Sequence, residues 1–202
     1  MVIHSPAAVR PWLSLSAGTV PRCQCTRSPK ESYRGGTYLL AAAVVDPADL
    51  DGLRKRVRSL LLPGQRELHC KKESPARRRL VVSGLVGAGA RAWVYSQRCQ
   101  RKDQERARQG CLDRMVTDMV KVGGHRLVLD SRRESDRHDE VTIRAVLGNR
   151  PRESGLTYEH VDSAHELLLG VADVVGWCYG AGGDWRRRIE PVIAELCDLD
   201  QR

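Results

Sequence analysis

Asp173 is the only charged residue between Leu167 and Tyr179, in a stretch, LLLGVADVVGWCY, that is apolar on every side. A helix of that character is buried, and a lone buried carboxylate is costly unless something pairs with it. A metal ion or a catalytic partner would supply the pair. A helix-facing salt bridge, or a proton held by a hydrogen bond, would do so as well. Asp130 ends the run Leu127-Val128-Leu129, and a carboxylate just past the end of a buried strand stands where open α/β sheets bind ligands. A helix cap or turn is the alternative there, since Ser131-Arg132-Arg133 follow. Glu67-Leu68-His69 lies in a short segment, Arg66–Cys70, that reads as a strand. Residues two apart on a strand face the same side, so Glu67 and His69 point together while Leu68 packs behind. An exposed strand edge gives the same pattern.

Three carboxylates on separate elements suit a hard divalent cation such as Mg²⁺ or Mn²⁺, which takes carboxylate oxygens and keeps waters that phosphate oxygens can replace. Two such ions can clamp the attacking and leaving oxygens of a phosphoryl displacement. The chain carries 34 Lys and Arg against 25 Asp and Glu, a formal net charge of +9, which favours an acidic partner. The basic residues cluster at Arg54–Arg58, Lys71–Lys72, Arg77–Arg79 and Arg186–Arg188. Convergence of these clusters on one face would suit a nucleic-acid backbone, and solvated helix faces are the plainer reading. With aromatics at 4% and no Phe, a binding mode built on base stacking is disfavoured. No Walker loop, GxGxxG, GxSxG or HExxH motif is present, so the chemistries those motifs serve have no support.

The elements that must position these residues alternate between strand and helix. Thr37–Val45 is a continuous apolar run, as in a buried strand. A helix follows from Asp46-Pro47 and ends at Pro63-Gly64. Ser74-Pro75 opens the next helix, Arg91–Ser96 is a strand, and Asp103 to Val122 is a long helix. His125–Asp130 is a strand, Asp136 to Leu147 a helix, and Thr157–Val161 a short strand. Ser163 and Glu166 form a capping box that opens the apolar helix Leu167–Tyr179, and Trp185–Leu196 closes the chain. This alternation means an α/β domain with a largely internal sheet. Residues 1–29 lack Asp and Glu and show no amphipathic period, so they read as a poorly ordered leader or an atypical first strand, with one domain over residues 30–202. No run approaches a membrane span and no secretory signal opens the chain. Seven Cys, with no CxxC pair, are expected to be reduced thiols of a cytoplasmic protein.

At Lys30-Glu31-Ser32, YLLAAAVV, Arg66–His69 (RELH), LVLDSR with Asp130, and Asp162-Ser163 through LLLGVADVVGW with Asp173, the chain resembles the domain-of-unknown-function 3800 family. The resemblance spans residue 30 to the C-terminus. It implies an α/β fold of RNase H-like type, a mixed central sheet flanked by helices with its first strand atypical or missing. It also implies a metal-dependent nuclease in which Glu67, Asp130 and Asp173 match three acidic positions and would ligate Mg²⁺ or Mn²⁺. Beside that implication, our own reading of the residues has His69 orient a water or a phosphate, and the basic cluster Arg77, Arg78 and Arg79 bind the nucleic acid. One position departs from the family. Its first strand ends in Asp-Glu-Ser, and here Lys30 stands for the Asp. Glu31 cannot replace it, because adjacent strand residues face opposite sides. The resemblance thus implies an altered site and leaves two readings open: a divalent-metal-dependent nuclease, or a non-catalytic nucleic-acid-binding or regulatory protein of the same fold.

Overall fold

The computed structural model of the chain describes residues 2–3, 22–25, 33–132, 135–148 and 155–201. Lys30, Glu31 and Ser32 lie outside the described residues. Among the described residues, eight strands form one sheet: β1 (Val2–Ile3), β2 (Arg22–Cys25), β3 (Tyr33–Arg34), β4 (Thr37–Val45), β5 (Arg91–Arg98), β6 (Arg126–Asp130), β7 (Thr157–Val161) and β8 (Ile193–Asp198). Their order is β7-β6-β2-β1-β4-β5-β8, with β3 paired to β4. β2, β6 and β7 run parallel to one another, β4 is antiparallel to β5, and β8 joins β5 in parallel. A mixed central sheet flanked by helices is what the RNase H-like expectation requires, and the described residues have it.

Among the described residues, six helices accompany the sheet: α1 (Leu50–Ser59), α2 (Pro75–Gly87), α3 (Gln104–Lys121), α4 (Asp136–Leu147), α5 (Leu168–Ala181) and α6 (Gly183–Ile189). Every residue of β4 from Tyr38 to Ala43 is buried, because helices lie on both faces and a strand sealed on both sides must be apolar throughout. On one face, Tyr38 meets Arg108 of α3 and Tyr95 reaches Asp118 of the same helix. On the other face lies α5, where the small residues Ala41 and Gly176 let helix and strand come into ordinary van der Waals contact. α6 and α1 pack against α5, and Arg78 of α2 lies over its Trp177. Leu168 through Cys178 are therefore all buried, as a helix apolar all round demands. No helix among the described residues is long and apolar enough to cross a membrane.

Several local expectations need correction. Of the two readings of the acid-free N-terminal segment, the atypical strand is the one found: it supplies β1 and β2, and Arg22–Cys25 sits beside β6 in the sheet. Arg66–Cys70 is not a strand; it is an irregular loop leading into a 3-10 turn at Cys70–Lys72. Ser163 and Glu166 do not form a capping box. Asp162 caps a 3-10 turn by accepting from the Ala164 amide, and Glu166 accepts from the Leu168 amide while pairing with Arg54. The closing segment contains α6 and then the edge strand β8, a strand that the sequence reading did not separate out.

Candidate carboxylate site

β6 and β7 are parallel neighbours with Asp130 opposite Val161, so Asp130 and the next residue after β7, Asp162, leave the sheet at the same end. His160, opposite Leu129 on that register, lies 3.5 Å from Asp139 of α4. Side chains alternate along a strand, so Asp130 faces the other side, towards α5. Burial pushes the Asp130 carboxyl up to about 6, and the carboxylates of Glu67 and Asp162 push it the same way. Like charges gathered in a partly desolvated place each make the other harder to ionise. Asp162 was not among the expected site residues. The signal for it was available, since it follows β7 as Asp130 ends β6.

Glu67 reaches this group from the loop over residues 66–70. Leu68 is buried against α5 at Gly170, where an added Cβ would stand 2.8 Å from the Leu68 Cβ and 3.2 Å from its carbonyl oxygen. The absent side chain is what lets the loop backbone lie on the helix. Glu67 then accepts a hydrogen bond from the Ser163 hydroxyl. His69 Nδ1 stands 3.6 Å from Asp173 Oδ1, and the Cys70 amide donates to Asp173 Oδ2 at 2.8 Å. Glu67 thus reaches Ser163 and His69 reaches Asp173 from a loop seated on a glycine, and not through strand alternation with Leu68 packed behind them. Asp173, only 4% exposed, is the loop's anchor: the partner it needs is a backbone amide together with His69. Glu67, Asp130 and Asp173 do not bring one oxygen each within 4.8 Å of one another.

A different trio among the described residues does approach that closely: Asp136, Asp139 and His160. Its surroundings argue against a cation. Arg108 donates to both oxygens of Asp139, at 2.9 and 2.5 Å, and Arg132 lies 3.5 Å away. Asp136 accepts from the Ser131 hydroxyl and the Arg132 amide. Burial opposes ionisation of Asp139, yet the His160 hydrogen bond and the Arg108 guanidinium hold its carboxyl down to about 2. Two guanidiniums already balance the two carboxylates, so a divalent ion would meet positive charge on arrival. The trio is a buried ion-pair network that ties α3, α4, β7 and the loop after Asp130 together.

The expected nucleic-acid arginines divide. Arg77 donates to the Leu60 carbonyl and Arg78 to the carbonyls of Cys70 and Lys71. Those two hold the site loop and the end of α1 against α2. Arg79 is exposed.

No family model matches the chain, so its membership of the domain-of-unknown-function 3800 family is not shown, and no curated protein matches it either. Among solved structures, a chain of the PCNA:RNase HII complex from Archaeoglobus fulgidus is similar, with 16% identity over 84% of this chain and 74% of that one, at a TM-score of 0.49. A likeness this distant says nothing of activity, substrate or partner.

Proposed function

We propose that the protein is a divalent-metal-dependent phosphodiester hydrolase acting on nucleic acid, of the kind implied by its resemblance to the domain-of-unknown-function 3800 family. Glu67, Asp130 and Asp173, joined by Asp162, form its carboxylate site, and His69 orients a water or a phosphate. One observation carries the reading: Asp130 and Asp162 leave the sheet together where two parallel strands end, and burial, with the charges of Glu67 and Asp162 added, pushes the Asp130 carboxyl up to about 6. The donor chemistry suits Mg²⁺ or Mn²⁺, since these are hard oxygens whose mutual repulsion a divalent charge would relieve, and such an ion would have to draw them closer than they stand here. When bound, such an ion would neutralise charge on a phosphodiester and activate the attacking water.

The engagement of Asp173 with the Cys70 amide and His69 favours a second reading, a non-catalytic nucleic-acid-binding or regulatory protein whose former site now serves as a structural clasp. Calorimetric titration with Mn²⁺ separates the two. The hydrolase reading expects binding by the wild type, lost in Glu67→Gln and in Asp130→Asn, with circular dichroism unchanged. A wild type that takes up no Mn²⁺, or an Asp130→Asn variant that binds as the wild type does, overturns it.

A further inference from the structure

Although aromatic residues are few, Trp177, Tyr179 and Trp185 each have an arginine over the ring. The Arg78 guanidinium lies 4.3 Å from the centre of the Trp177 ring, and Trp177 meets Trp185 edge-on with ring centres 5.5 Å apart. Arg79 stands 5.9 Å from the Trp185 ring. The same Arg78 holds the carbonyls of Cys70 and Lys71, one and two residues past His69. A continuous chain of contacts thus runs from the carboxylate loop through Lys71, Arg78 and Trp177 to Trp185 and Arg79. Along it, Lys71, Lys72 and Arg79 are exposed and Trp185 is half-buried.

The cations of α2 and α6 differ in how far they are committed. Arg187 and Arg188 pair with Asp184, and Arg186 donates to the Tyr179 hydroxyl while stacking on its ring. The Arg79 side chain has no hydrogen bond or ion pair among the described residues, and its distance from Trp185 is the longest of the three guanidinium–ring contacts described here. A loosely held guanidinium beside a partly exposed indole is the combination that single strands use: phosphate on the cation, base on the ring.

We propose that the surface formed by Lys71, Lys72, Arg79 and Trp185 binds single-stranded nucleic acid, with Arg79 and the two lysines on phosphates and Trp185 stacked on a base. This deepens the hydrolase reading by giving its substrate a strandedness and a path away from the carboxylates.

Binding of a fluorescent oligothymidine, and of a duplex of equal length, is measured by anisotropy in EDTA over a range of salt. Trp185→Ala should weaken single-strand binding by roughly 5- to 150-fold while changing duplex binding little, and Trp185→Phe should keep most of the affinity. Arg79→Gln should weaken both ligands and reduce the salt slope by about 1. If Trp185→Ala does not fold, the comparison passes to tryptophan fluorescence: the oligonucleotide should quench the wild type more than Trp185→Phe. Wild-type affinity in both Arg79→Gln and Trp185→Ala, or equal quenching in wild type and Trp185→Phe, overturns the proposal. Because EDTA removes divalent ions, the outcome is independent of hydrolysis. A protein that binds through Trp185 without ever cleaving loses only the hydrolase reading. One that cleaves in an Asp130-dependent way without needing Trp185 or Arg79 loses only this surface.

Discussion

Asp130→Asn should stabilise the metal-free protein at neutral pH. The folded state raises the Asp130 carboxyl from 3.8 to about 6, chiefly through burial. A carboxyl raised in the folded state binds its proton more tightly there than in the unfolded chain. Stability from this group is therefore fully present below about pH 4, declines as the pH rises towards 6, and stays low above it. At about 1.4 kcal/mol per pH unit the rise corresponds to roughly 3 kcal/mol. Asp130 is only half-buried, and solvent screening cuts the effect to about 1–2 kcal/mol. Asparagine resembles the protonated acid in shape and carries no charge to repel Glu67 and Asp162. Urea unfolding in EDTA, followed by circular dichroism between pH 4 and 7.5, reads the difference directly. The variant should match the wild type near pH 4 and exceed it by about 1–2 kcal/mol at pH 7. A gap that does not change with pH, or a variant less stable at pH 7, would refute the argument that Asp130 is held ionised against its neighbours.

Gly170→Ala should lift the loop from α5, because its Cβ would meet Leu68 atoms at 2.8 to 3.3 Å. A loss of about 1–3 kcal/mol in urea unfolding is expected, with weaker Mn²⁺ binding if Glu67 is a ligand. Arg108→Met leaves Asp139 buried without its bidentate partner and should lose about 3–5 kcal/mol. Adding Asp139→Leu should restore most of that loss in the same assay.

Regular elements were legible wherever periodicity or an end signal was clear. Thr37–Val45, Asp136–Leu147 and Thr157–Val161 have the bounds that their apolar patterns and flanking residues imply. The loop at residues 66–70 was misread because the alternation Glu-Leu-His looks the same whether Leu68 packs beneath a strand or against a glycine on a distant helix. Asp173 was legible as a buried acid, but its partner was not, since a backbone amide has no identity in a sequence. The pair Arg108–Asp139 was invisible for the opposite reason. Both residues lie on helices rich in charge, where one buried member among many exposed ones leaves no trace in the pattern. Asp162 lies inside the resemblance, but its pairing with Asp130 depends on the parallel register of β6 and β7, which the sequence does not display.

The carboxylate group is assembled from distant parts of the chain: the Glu67–Ser163 contact spans 96 residues and the Cys70–Asp173 contact 103. Contacts of such long separation need large loops to close first and tend to form late on the folding route. The electrostatic strain at Asp130 is then largely absent from the transition state and present in the native molecule. Relieving it changes the escape rate from the native basin more than the rate of reaching it. The site's charge thus acts as a clock on how long each folded molecule survives, and any cation that settles among these acids would lengthen that lifetime without hastening the chain's arrival.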